Sequence, residues 1–243
     1  MMSDQFTIVL IHGHGVDASI WKDIYAGLVS DGPVLKPDFA RLTQYTTIEG
    51  YAGELYDRLQ QEGVRNVVLV GHSMGGYLAL AFAERHPEMV RGLCLFHSTA
   101  FADDETKKIQ RQQIINNLSL TGSRPFLETA ITNMFAPDNR ERMSTQKQAL
   151  IDQYSSLPPD ALQAGIRAIM SRPDRAAVVR EAPFPVLLVA GRHDQLVPLE
   201  KNQELADTAP GVDLVVLDSS GHLGMIEQPE QALQALHTFI ARL

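Results

Sequence analysis

Serine, aspartate and histidine occur in that order along the chain, each shortly after an apolar run. Gly71-His72-Ser73-Met74-Gly75 fits G-x-S-x-G and stands between the strand-type run NVVLV and the alanine-rich helical run YLALAFA. A serine hydroxyl is a weak nucleophile until a base takes its proton and a third group orients that base. A strand-turn-helix bend would lift the Ser73 hydroxyl above the sheet, where side chains at positions 71 and 75 would collide with neighbouring backbone. Asp194 follows VLLVAGRH, and His222 follows LVVLDSSG. Both loops therefore leave the carboxyl ends of strands, the edge at which open α/β sheets bind ligands. Asp213 and Asp218 are rival acids, but one begins a strand and the other closes it.

The run TIVLIHGHG offers three further chemistries. Gly13, Gly15 and Ala18 fit the dinucleotide pattern G-x-G-x-x-A, with Asp38 in about the right region to hold a ribose. That reading leaves Ser73, Asp194 and His222 without a role. His12 and His14 are spaced to share a strand face as metal ligands, but Asp17 comes one residue late and no other cluster completes a shell. The third reading uses the backbone: a tight glycine turn beside Ser73 that presents an N–H group to a developing oxyanion.

These residues need a scaffold that brings strand ends together. Short apolar runs at Thr7–Ile11, Val34–Lys36, Asn66–Val70, Gly92–Phe96, Val186–Ala190 and Leu214–Leu217 read as buried strands. Helical patterns lie between them at Ser19–Ser30, Thr47–Glu62, Gly75–Arg85, Leu199–Thr208 and Pro229–Arg242. The alternation predicts an α/β fold, a mostly parallel twisted sheet with helices on both faces. It breaks once, from Thr99 to Arg180, where polar helical segments punctuated by TGSRP, APDN and SLPPD replace the strands. This segment reads as a helical insertion in a single domain, between core residues 1–98 and 181–243.

The combination HG at 12–13, GHSMGG at 71–76, GRHDQLVP at 191–198 and SGH at 220–222 resembles the Ser-His-Asp α/β-hydrolase superfamily across nearly the whole chain. The resemblance implies an α/β-hydrolase fold with residues 99–180 as its variable cap. It makes Ser73 the nucleophile, His222 the general base and then acid, and Asp194 the orienting carboxylate. The backbone N–H groups of Met74 and His14 would hold the oxyanion. The expected activity is hydrolysis of a small carboxylic ester, or a related acyl compound, without cofactor or metal. The same triad also serves carbon–carbon bond hydrolysis, perhydrolysis, lyase chemistry and cofactor-biosynthetic steps, or a slow-turnover ligand receptor. His97, at the end of a strand, and Phe101, Phe126, Met134, Phe135 and Met170 in the insertion are the candidate pocket residues.

Composition narrows the partners. The formal net charge is −8 and the basic residues are scattered, which gives no footprint for nucleic acid or an anionic membrane. The single cysteine, Cys94, sits in GLCLF as a small buried hydrophobe. No apolar run reaches the roughly 18 residues of a membrane span. The opening MMSDQF has neither a basic start nor an apolar core, so a cytoplasmic enzyme acting on a small molecule is expected. Among other conspicuous residues, Trp21 and His72 read as packing groups, with His72 beneath the serine turn. His193 reads as structural, His86 and His237 as helix-surface residues. Asp103 and Asp104 in DDETKK read as a solvated helix start.

Overall fold

The apolar runs form one parallel sheet in the computed structural model, which describes residues 6–243. Its strands are β1 (Thr7–Ile11), β2 (Val34–Leu35), β3 (Val67–His72), β4 (Val90–Phe96), β5 (Val186–Gly191) and β6 (Asp213–Leu217), in the order β2-β1-β3-β4-β5-β6. The opening MMSDQ lies outside the described residues. The direction of winding reverses at β1, so β1 and β3 lie side by side although β2 separates them in sequence. Ile11 is paired with Gly71, which places the HGHG loop next to the serine turn at the topological switch point.

Strand side chains alternate between two cores. Ile8, Leu10, Val68, Val70, Leu187 and Val189 face one side with α1 (Lys22–Leu28) and α12 (Pro229–Ile240). Val9, Ile11, Val67, Leu69, Leu93 and Leu188 face the other, against α2 (Ile48–Gln61), α3 (Met74–Arg85) and α10 (Leu199–Thr208). The period of two along strands clad on both faces accounts for the near-continuous apolar runs. In α2, buried Ile48, Tyr51, Ala52, Leu55 and Leu59 recur at helical spacing, and Thr47 Oγ1 caps its first turn. The expected α/β-hydrolase architecture is observed. The third strand runs two residues beyond its expected end, because Gly71 and His72 still pair with Leu95 and Phe96 of β4.

Between β4 and β5 the chain forms α4 (Glu105–Thr121), α5 (Ser123–Met134), α6 (Asn139–Arg142), α7 (Ser144–Tyr154), α8 (Pro159–Ser171) and α9 (Ala176–Arg180). A short α11 (Gly224–Glu227) follows β6. Among the described residues, no helix is long and apolar enough to cross a membrane.

The acidic pair that opens the insertion is half solvated and half buried. Asp104 caps α4 by accepting the Lys107 N–H at 2.7 Å, as a helix start should. Asp103 departs from expectation: its side chain is buried and paired with Arg111 and Arg172, the latter at 2.9 Å. Arg172 follows α8, donates to the Ile169 and Phe101 carbonyls and lies 4.0 Å over the Tyr77 ring. A charge run hides such a residue, because its partner lies 69 positions away. Nearby, Arg175 reaches Glu49 at 2.6 Å and Glu84 at 2.9 Å. The two ends of the insertion are thus tied to each other by charge, and its carboxyl end is tied through Arg175 to α2 and α3.

Removing one member of a buried pair strands the other charge. Asp103→Ala is expected to cost about 3–5 kcal/mol in urea unfolding. Asp213→Ala, which removes the exposed pair with Arg242, should cost less than about 1 kcal/mol.

Candidate active site

Ser73 occupies the bend between β3 and α3 with φ 52° and ψ −117°, a backbone conformation that non-glycine residues rarely hold. The bend survives because the surroundings are shaped for it. A Cβ on Gly71 would overlap the Gly75 carbonyl, and one on Gly75 would overlap the Ile11 carbonyl. The Ser73 N–H donates to Phe96 O at 3.0 Å, and Ser73 O accepts from Gly76 N–H and from the Ser98 hydroxyl at 2.7 Å.

Two strands further along the same edge, Asp194 and His222 meet. His222 Nδ1–H donates to Asp194 Oδ2 at 2.7 Å, and both side chains are about 1% exposed. Asp194 Oδ1 accepts from the N–H groups of Leu196 and Val197 at 2.8 and 2.9 Å. Burial alone would raise this carboxyl. The hydrogen bond from the facing His222 ring and the nearby His97 ring outweigh it and hold the group far below the usual carboxylate range. The rival acids are engaged elsewhere, Asp218 with Arg192 and Asp213 with Arg242. His222 Nε2 is buried with no hydrogen-bond partner, Ser73 included. In active sites without substrate this last bond is often long and tightens only on binding.

Beneath the turn, His72 Nε2–H donates to His222 O at 2.9 Å, as the packing expectation requires. Its ring lies 4.9 Å from that of His222, and burial lowers its pKa well below the usual histidine value. His97 and Ser98 do not reach a pocket. Both are fully buried, His97 below Asp194 and Ser98 against the Ser73 carbonyl.

Glu227 is the residue that sequence reasoning missed. Its Oε1 accepts from the N–H groups of Gly221 (2.8 Å) and Leu223 (3.3 Å), and its Oε2 from Ala136 N–H (2.8 Å) and Asn139 Nδ2 (2.6 Å). The His222 N–H donates to Met134 O at 2.6 Å. The carboxylate therefore staples the histidine loop to residues 134–139 of the insertion. The available signal was an acid embedded in the otherwise apolar run HLGMIE.

At the HGHG loop the two imidazoles diverge. His12 Nδ1–H donates to Gly13 O, while its Nε2 accepts Phe39 N–H at 2.8 Å and lies 3.3 Å from Asp38. His14 Nε2–H donates to Leu162 O of α8 at 2.8 Å, and burial lowers its pKa to about 4. His14 and Met74 line one cavity of about 20 Å³, room for roughly one water. The insertion contributes Ala161, Leu162 and Gly165 to its wall. The expected lining residues lie elsewhere. Met134 and Phe135 are buried in the first core, and Phe126 packs on the outer side of the His14 ring at 5.9 Å. Phe101 packs on the second core beneath Lys201, and Met170 is half-buried outside the cavity wall. The small side chains of α8 let that helix approach the loop and displace the larger residues from the cavity. His97, Asp194 and His222 place ligand-type atoms within 4.8 Å of one another, but both rings address the same carboxylate oxygen at hydrogen-bond range.

Comparison with known proteins agrees with this fold. The family model described as alpha/beta hydrolase family matches residues 8–235. A 2-hydroxymuconate semialdehyde hydrolase of Pseudomonas putida is 30% identical, over 97% of this chain and 87% of that protein. A pimeloyl-[acyl-carrier protein] methyl ester esterase of Photobacterium profundum is 28% identical, over 96% and 94%. A solved thermophilic esterase from Thermogutta terrifontis superposes with a TM-score of 0.92 at 26% identity, over 98% and 90%.

Burial lowers the pKa of His14, His72 and His97 in the folded state. The unfolded chain therefore binds more protons just below the ordinary histidine value of about 6.5. Stability should be fully present above pH 6.5 and drain as the pH falls from there toward about 4. Below that, Asp194 and Asp103, whose pKa values are depressed, continue the loss. Urea midpoints measured from pH 8 to 4 check this, and a flat profile would contradict the buried neutral rings.

Proposed function

This chain belongs to the α/β-hydrolase family, and on that premise we propose that it is a serine hydrolase that cleaves small carboxylic esters through an acyl-enzyme on Ser73. The observation that carries the reading is the desolvated His222–Asp194 bond at the carboxyl edge of the sheet. With Nδ1–H committed to Asp194, His222 Nε2 holds a lone pair and no competing partner. Ser73 Oγ attacks the acyl carbonyl and its proton passes to Nε2. The tetrahedral oxyanion is held by the N–H groups of His14 and Met74. Collapse breaks the bond to the alcohol oxygen, which takes the proton from His222. Water then repeats the sequence on the acyl-enzyme, with His222 again as base, and the carboxylic acid leaves.

A small acyl group is the size suggested by the tight seating of α8 on His14, which leaves beside Met74 a cavity with room for roughly one water. Ester chemistry is favoured by the names of the Photobacterium and Thermogutta proteins. The Pseudomonas putida relative supports a second reading, hydrolysis of a substrate like 2-hydroxymuconate semialdehyde. Residues 99–180 are read as a cap within the one domain. The contacts from Leu162 to His14 and from Met134 to His222 support this.

Turnover of p-nitrophenyl esters should be fastest for acetate to butyrate and fall with longer chains. Ser73→Ala should fold normally and lose on the order of 10⁴- to 10⁶-fold in kcat. Hydrolysis of 2-hydroxymuconate semialdehyde with no ester turnover would overturn the ester reading. His14→Ala keeps the backbone N–H but removes the bond to Leu162. It should broaden chain-length preference while fluorophosphonate labelling of Ser73 stays within about threefold of wild type, less than the roughly 10²-fold expected for loss of an oxyanion donor.

A further inference from the structure

Asp194 faces two imidazoles, and the proposed reaction uses one. The other belongs to His97, immediately after β4, whose side chain is fully buried. His97 Nδ1 lies 3.4 Å from Asp194 Oδ2, the oxygen to which His222 donates. Its Nε2 lies 3.0 Å from the Gly224 N–H, and the Gly191 N–H lies 3.1 Å from Nδ1. A neutral ring carries one proton, and burial disfavours a second. On Nε2 that proton would oppose the Gly224 N–H and leave the Nδ1 lone pair against a carboxylate oxygen. On Nδ1 it opposes only the Gly191 N–H, finds Asp194 as acceptor and frees Nε2 to receive Gly224. The Nδ1–H form has one conflict in place of two.

The backbone is bent to deliver this ring. His97 has φ 48°, the left-handed region that non-glycine residues rarely adopt, and its N–H is held by Val189 O at 2.7 Å. Such a conformation persists where the surroundings over-determine it, and the ring's contacts with Asp194 and the Gly224 N–H do so.

We propose that His97 is a positioning residue that donates from Nδ1 to Asp194 Oδ2 beside His222, fixing the carboxylate's orientation and drawing off part of the charge that His222 feels. The proposal rests on the Ser73–His222–Asp194 reading. The titratable groups facing His97 are Asp194 from the loop after β5, His222 from the loop after β6 and His72 from β3, with Glu227 of α11 acting from farther away. Without the second donor, the carboxylate's charge falls wholly on His222.

The test measures kcat and KM for p-nitrophenyl acetate from pH 5 to 9 in wild type, His97→Leu and His97→Asn. His97→Leu should lose about 10- to 100-fold in kcat, the scale seen for second hydrogen bonds behind catalytic groups. KM should stay within about twofold, and the acid limb of kcat/KM should move up by about half to one pH unit. His97→Asn, whose amide can donate, should recover most of both. Wild-type kcat and an unmoved limb in folded His97→Leu would overturn the proposal, as would a loss that shifts no limb and is not rescued by asparagine. If His97→Leu does not fold, nitrogen-15 NMR of the wild-type ring decides: a protonated Nδ1 is expected, and a protonated Nε2 overturns it. The NMR measurement is independent of turnover. Failure of wild type to cleave esters or label with fluorophosphonate would refute the hydrolase reading and leave the tautomer to be judged separately.

Discussion

A desolvated hydrogen bond, from His222 Nδ1 to Asp194 Oδ2, governs how the rest of the chain is arranged. A carboxylate removed from water is costly unless donors surround it. Here Leu196 and Val197 supply backbone N–H groups, and the rings of His222 and His97 face the other oxygen. Meeting that demand needs β5 and β6 side by side, with Gly191 paired to Leu217. It also needs glycine at 191, because a side chain there would overlap the Gly221 carbonyl. The bond is thus a property of the parallel sheet's edge as much as of two residues.

The same edge holds the strained serine turn and the helical segment above it. Glu227 joins that segment to the histidine loop through hydrogen bonds from backbone and amide N–H groups, and His14 joins it to the loop after β1 through Leu162. The segment is therefore built into the walls on both sides of the serine. The buried pairs of Asp103 and Arg172 anchor its base. On this side the cavity is walled by Ala161, Leu162 and Gly165 of α8, while Phe135 packs in the first core and Phe101 on the second.

Histidines crowd the site, and burial decides their roles. His72 and His97 lie 4.9 and 5.9 Å, ring to ring, from His222. A charge on either would oppose the imidazolium that His222 becomes in the proposed reaction. Desolvation lowers the pKa of both, so each can act as a neutral hydrogen-bonding group. His222 alone has a carboxylate at 2.7 Å to balance a gained proton.

The strand runs, the G-x-S-x-G turn and the order serine, aspartate, histidine were legible in sequence, because each depends on local spacing and on which residues tolerate a buried strand or a tight bend. Asp194 was separable from Asp213 for the same reason: it follows a strand, where a loop can carry it over the edge; Asp218 also follows one, and its pairing with Arg192 sets it apart. The roles of His97, Asp103 and Glu227 were not legible. Each has a partner far along the chain, 97, 69 and 91 positions away at Asp194, Arg172 and Ala136, and only packing brings these together. The pocket wall was misread because large apolar residues mark a cavity and a helix core equally well in sequence. The close approach of α8 to the HGHG loop decided between them, since a side chain at Gly165 would overlap the His14 ring.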